Sequence, residues 1–260
     1  MKLLGAAAIA FQRWLAFISP WFLVQALASA SVRSLRGDHI LLLGSAPEPL
    51  LPEPIDKWTL WTVNASARHA AQLELGTPRV SVVDRGFFTE KSRSGALRQV
   101  ETIDLGKVVS VSTVRLVERP VCPAGCVRVS RFRRSIIVRA ATGSRTLDSG
   151  NFAALSTGGF AACLASLAAS DQVFLAGYSM TLEAGTKRTP HFYDDPNIRP
   201  SVSASTPDQV TARKHSAADS AALSLISLKT HRLNSHERDL IPLVYNWGKD
   251  PPSWARQRWL

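Results

Sequence analysis

The stretch from Leu155 to Tyr178 does more than any other to limit what this chain can fold into. Ser156 and Thr157 are cap-type residues, and Gly158 and Gly159 leave the turn behind them without side chains. Phe160, Cys163, Leu164 and Leu167 then recur at helical spacing. Val173 to Ala176 follows as a short apolar run between Asp171-Gln172 and Gly177, the pattern of a buried strand. A helix leading straight into a buried strand is the repeating unit of a parallel sheet. The glycines admit two readings: they let helix and sheet approach closely, or they bare backbone N–H groups to a phosphate or carboxylate.

The same alternation runs through the rest of the chain. Strands are predicted at His39–Gly44, Trp58–Asn64, Arg79–Asp84, Lys107–Thr113 and Ser135–Val138, with helical residues from Ala65 to Leu75. Residues 87–134 are the least legible part. Strands alternating with helices from residue 39 to 178 predict an α/β fold, a mostly parallel sheet with helices on both faces. The predicted division is 1–37 as an N-terminal hydrophobic helix and linker and 38–260 as one folded domain, with the Ser/Thr/Pro-rich residues 201–214 as a lid loop.

Composition decides which partners suit this frame. With 45% hydrophobic and 20% charged residues the chain is not disordered. A formal net charge of +11 suits an anionic partner. No helix-turn-helix, zinc-finger or aromatic RNA-binding pattern accompanies it, so nucleic acid is not expected. Arg128, Arg131, Arg133 and Arg134 read as a solvated face, or as a surface resting on anionic headgroups. Cys122, Cys126 and Cys163 are too few for a disulfide framework and read as reduced and structural, with a 122–126 bridge as the alternative.

Residues 14–32 carry no charge and lie between Lys2 and Arg13 on one side and Arg33 and Arg36 on the other. That length fits the roughly 20 residues a membrane-crossing helix needs. Pro20, Gln25 and three serines interrupt it, and Trp14 and Trp21 also suit an interfacial helix. Ala28-Ser-Ala30 looks like a cleavage site, but Gln12-Arg13 breaks the continuous run a signal peptide requires. The expectation is a membrane anchor.

Near the other end, Ser216 followed by Asp219 reads as an acidic capping box opening a helix with Ala218, Ala221, Ala222 and Leu225 on one face. His215 would then stand just outside a helix N-terminus, where the dipole favours a neutral imidazole suited to general-base work. No Asp-x-Asp pair stands at a strand end to hold a divalent ion, and no Gly-x-Ser-x-Gly elbow marks a serine hydrolase.

Four segments taken together, residues 40–47, Trp61 to Asn64, Ser156 to Gly177, and His215-Ser216 with Asp219, resemble in order and spacing the bacterial single-domain sialyltransferases of glycosyltransferase family 42 and the related nonulosonate and Kdo-type transferases. The resemblance implies a Rossmann-like sheet of the GT-A-variant type and a CMP-activated sugar acid as donor substrate, with no metal and no cofactor. It implies that Gly44, Ser45 and Asn64 hold the nucleotide, that Ser156, Thr157 and Gly158 cradle the donor, and that His215 is the base. The family's two phosphate-facing tyrosines are absent from their usual places, so the candidates to assist the departing phosphate are Tyr193 or Tyr178, with His191, Lys187 and Arg188 near the lid. The function so implied is inverting transfer of a sialic-acid or Kdo-type sugar to a surface glycan or lipid-linked acceptor. CMP-sugars are made in the cytoplasm, so the expected setting is the inner membrane with the catalytic domain cytoplasmic. A homo-oligomer stays open, and the alternative is a catalytically inactive membrane-anchored scaffold in envelope assembly.

Overall fold

The computed structural model describes residues 11–12, 14–46, 48–84, 103–111, 125–148, 155–178, 206–238 and 240, without the side chains of residues 206–216. Its centre is a parallel sheet of seven strands: β1 (Gly37–Leu43), β2 (Thr59–Val63), β3 (Val80–Asp84), β4 (Lys107–Val111), β5 (Val127–Val129), β6 (Ala169–Ala176) and β7 (Leu233–Asn234). The spatial order is β5-β4-β3-β2-β1-β6-β7, and every neighbouring pair is parallel. The chain starts at β1, builds outward to β5, then returns to lay β6 on the other side of β1. The direction of winding therefore reverses between β1 and β6.

Alternate residues of each strand feed two apolar layers, as the pleat requires. Ile40 and Leu42, Trp61 and Val63, Val80 and Val82, and Val173 and Leu175 enter the larger core. That core is closed by α3 (Arg131–Thr142), α4 (Thr157–Ala168) and α5 (Thr206–Thr230). Leu41, Leu43, Leu60, Phe174 and Ala176 point the other way, against Ala70 of α2 (Ser66–Gln72), Leu51, Trp58 and Leu75. Helices thus cover both faces, as predicted, in a generic Rossmann-like arrangement. Toward β3 and β4 the second face becomes polar: Thr62 and Ser81 share a 2.7 Å hydrogen bond and Ser81 donates to the Leu105 carbonyl.

The predicted strand at Ser135–Val138 is a correction: these residues lie inside α3. Ser130 caps that helix by accepting from the Arg133 N–H at 3.2 Å, and Gly143 closes it in the left-handed conformation. Consecutive Ile136, Ile137 and Val138 resemble a strand only because the helix is enclosed on two sides. Ile136 and Ala140 meet the N-terminal helix, whereas Ile137, Val138 and Ala141 meet the main core. β5 and β7 were not predicted; one is three residues long and the other two.

The expected membrane anchor is also corrected. No helix among the described residues is long and apolar enough to cross a membrane. Residues 14–18 are helical, the chain breaks at Ser19-Pro20, and α1 (Trp21–Val32) follows with 12 residues. At 1.5 Å per residue that is about 18 Å, against roughly 30 Å of hydrocarbon. Val24 and Ala28 are buried against Ile136 and Ala140, and Val32 and Leu35 belong to the main core. Arg139 of α3 holds the break, its Nη1 donating to the carbonyls of Ala16, Phe17 and Ser19 at 2.8, 3.1 and 2.8 Å. The Trp21 ring lies under Arg139 and Lys229, and Lys229 also donates to the Ala140 carbonyl. Phe11, Trp14, Phe17, Ile18, Trp21 and Phe22 remain exposed along these two helices.

The reading of Arg128, Arg131, Arg133 and Arg134 as a wholly solvated face fails at its last member. Arg134 is buried and pairs with Asp148 through two hydrogen bonds, of 2.8 and 3.0 Å.

Candidate site at the carboxyl ends of the strands

In an open α/β sheet, ligands gather outside the carboxyl ends of the strands where the winding reverses. Here that place lies between the ends of β1 and β6. Past the last strand residues the two chains stay tied, the Gly44 N–H donating to the Ala176 carbonyl at 2.7 Å and the Ala46 N–H to that of Gly177 at 2.9 Å. A methyl group on Gly44 would collide with the Gly177 carbonyl and lie 2.9 Å from Cδ2 of Tyr178. Close approach of the backbones is therefore what Gly44 provides. Gly177, with φ +67, also donates its N–H to Glu237 Oε1 at 2.8 Å, and Glu237 accepts from the Leu50 N–H as well.

The hydroxyl-capped start of α4 lies at this same edge. Ser156 Oγ accepts from the Gly159 N–H at 3.0 Å, the expected cap. The Ser156 N–H donates to Asp219 Oδ1 at 2.9 Å, and Ser156 Oγ donates to Asp219 Oδ2. A methyl on Gly159 would strike the Asp219 carboxylate. The negative charge that the bare helix start invites comes from α5, 63 residues along the chain, so this helix end is not an open phosphate cradle. Of the two readings of the glycines, close packing is the one the geometry carries.

Tyr178 closes the group, its hydroxyl donating to the Gly158 carbonyl at 3.3 Å. Burial first, then the Asp219 carboxylate and Cys163, push its hydroxyl well above the usual tyrosine range. Burial likewise pushes the Cys163 thiol up, with Asp148 and Asp219 adding to the effect. The segment leading into α4 is fixed by the buried Arg134–Asp148 pair. Arg134 donates to the Leu155 carbonyl at 2.7 Å, and Asp148 accepts from the Leu155 N–H at 3.1 Å.

Next along the edge is the end of β2. Asn64 adopts φ +52, and its Oδ1 accepts from the Asp84 N–H at 2.8 Å, tying the ends of β2 and β3. Ser66 bridges the Leu43 carbonyl and the Val63 N–H, both at 2.7 Å, so the turn after β2 is locked onto β1. Gly44, Ser156, Thr157 and Gly158 are thus brought together, with Asn64 on the adjoining strand end and Ser45 half-buried in the turn after β1. Tyr193 lies outside the described residues, as do His191, Lys187, Arg188 and Cys122. His215 is not beside a helix start: α5 begins at Thr206, so the dipole argument for a neutral imidazole no longer applies. The same fact turns most of the expected lid loop, residues 206–214, into helix, while 201–205 lie outside the described residues.

Asp219 and Glu237 are the residues that sequence reasoning missed here. The spacing of Ser216 and Asp219 points to a cap on their own helix and carries no sign that Asp219 accepts from the start of another. Glu237 has no local signal at all. Among the described residues no group of His, Cys, Asp and Glu could hold a metal ion.

No protein-family model matches the chain, and neither a curated protein nor a solved structure matches it. With no such match, the expectation of a membrane-anchored glycosyltransferase moving a sialic-acid or Kdo-type sugar from a CMP donor to a glycan or lipid acceptor is corrected to a generic α/β fold. The scaffold alternative falls with it in its membrane-anchored form. The inner-membrane setting, the anchoring N-terminal helix, the CMP-sugar donor and the glycan or lipid-linked acceptor are corrected on the same findings and on the shortness of α1.

Proposed function

We propose that this protein binds a nucleoside or nucleotide along the carboxyl ends of β1 and β2. The observation that carries the reading is Asn64, held in the left-handed conformation at the end of β2 and twenty residues after the Gly44 turn. In nucleotide-binding sheets of this winding, a polar side chain at that place receives the ribose hydroxyls; the Asn64 Oδ1 accepts from the Asp84 N–H, so its amide N–H groups are what it offers a ribose. The support is an analogy of fold joined to one local geometry. The net charge of +11 also favours a phosphorylated ligand over a neutral one. With Asp219 already seated at the α4 start, the phosphates lie toward Ser45 and away from Ser156.

Thermal melts with adenosine, guanosine, cytidine and uridine mono-, di- and triphosphates test this reading. A ligand at 100 times its dissociation constant adds about 2.7 kcal/mol of stability. Asn64→Gly keeps the left-handed backbone, removes the amide and with it the tie to the Asp84 N–H; it should weaken binding about tenfold, and a ligand-free melt measures the part of the loss that is structural. Absence of a shift with all of these ligands at millimolar concentration would overturn the reading.

A further inference from the structure

At the opposite end of the sheet, a cleft of about 430 Å³ is lined by Arg36, Asp38, His39, Lys57, Arg79 and Ser170, together with Gly37 and Thr59. That volume falls within the range of small-ligand sites. The lining comes from four neighbouring strands at their amino ends: Arg36 and Gly37 enter β1, Lys57 closes the turn before β2, Arg79 precedes β3, and Ser170 stands near the start of β6. Four adjacent strands span about 14 Å, wide enough for a ligand with two charged groups.

The cationic side chains of this cleft, Arg36, Lys57 and Arg79, outnumber its one lining carboxylate, Asp38. Asp38 spends its Oδ1 on the Ser170 hydroxyl at 2.6 Å. Asp171 lies 3.5 Å from His39 Nδ1. Among the described residues, no ion pair satisfies Arg36, Lys57 or Arg79. Arg79 reaches across the start of β2: its Nη1 would lie 3.8 Å from a methyl group on Gly37, and Thr59 Oγ1 would lie 3.6 Å from the same group. Three cations from three separate segments thus line one cleft with small and hydroxyl-bearing residues. The three side chains are exposed, and with one carboxylate among them the cleft is net positive, a field that an anion complements. Guanidinium forks match the oxygens of a phosphate group, and the hydroxyls of Thr59 and Ser170 add donors.

We infer that this cleft is a binding site for a small soluble anion carrying two or more phosphate groups, gripped by Arg36, Lys57 and Arg79. It is distinct from the carboxyl-end site and does not depend on it.

Isothermal titration of the full chain with inorganic pyrophosphate tests the inference. Pyrophosphate should bind, and raising sodium chloride from 50 to 500 mM should weaken it steeply, because exposed charges are screened. Arg79→Ala and Arg36→Ala should each weaken it about tenfold, the loss of one charge-assisted contact. Arg145→Ala, an exposed arginine outside the cleft, should leave it unchanged. Circular dichroism confirms that each variant folds. Equal binding by the parent and Arg79→Ala, or no heat up to 10 mM pyrophosphate, overturns the inference. Binding to anionic phospholipid vesicles or to a single-stranded oligonucleotide without binding to pyrophosphate also overturns it, since the anion would then be part of a macromolecule.

Discussion

The two glycines of α4 differ in what a side chain would meet. At Gly159 an added methyl strikes the Asp219 carboxylate and forces it off Ser156, whereas at Gly158 the nearest atom is Cε1 of Tyr178 at 3.3 Å. Gly159→Ala should therefore cost about 1–3 kcal/mol from overpacking alone. Gly158→Ala should cost less by about 1 kcal/mol or more, because its contact is mild while the gain in helix propensity from alanine is common to both sites. Urea unfolding of the two variants side by side decides it, and equal losses would mean that Asp219 is not what excludes a side chain at 159. A second residue-scale effect concerns pH. Burial lowers the pKa of His69, so the folded state keeps the ring neutral while the unfolded chain takes up a proton near pH 6.5. Its contribution to stability is complete above about pH 6.5 and is lost as pH falls through that value toward the lower folded-state pKa. Unfolding free energies at pH 7.5 and 5 should differ less in His69→Gln than in the parent; an identical pH dependence would show that His69 does not titrate on unfolding.

Among the elements, the N-terminal helices depend on one side chain for their junction. Arg139 satisfies three carbonyls at the Ser19-Pro20 break, groups that a helix end otherwise leaves without partners. Arg139→Met keeps much of the apolar stem and removes the donors. It should cost about 1.5–3 kcal/mol, the range for hydrogen bonds to a charged group. Hydrogen exchange should quicken first in residues 14–32; a loss spread evenly over the chain would show that the junction is not separately held. The local cues for α3 were present in Ser130 and Gly143, yet the run Ile136-Ile-Val138 pointed to a strand. A helix enclosed on two sides loses the 3.6-residue contrast by which helices are recognised.

For the whole molecule, the parallel sheet sets the order of stability. β1 lies between β2 and β6 with both faces covered, while β5 and β7 are short and stand at the edges. Native-state hydrogen exchange should find the slowest amides at Ile40–Leu43 and Val173–Ala176 and faster ones at Val127–Val129 and Leu233–Asn234. Faster exchange in the central strands than at the edges would contradict this account. By itself the sequence determined the α/β class, the strands β1 to β4 and β6, and the capped helix running into β6, because a buried parallel strand is a short unbroken apolar run and an exposed helix cap is a fixed residue type. Only the tertiary structure decided that α1 packs against α3, that Arg134 is buried, and that the carboxylate at the start of α4 comes from Asp219. Each of these depends on which distant surface arrives to take up an apolar face or an unpaired charge, and local spacing carries no record of that partner.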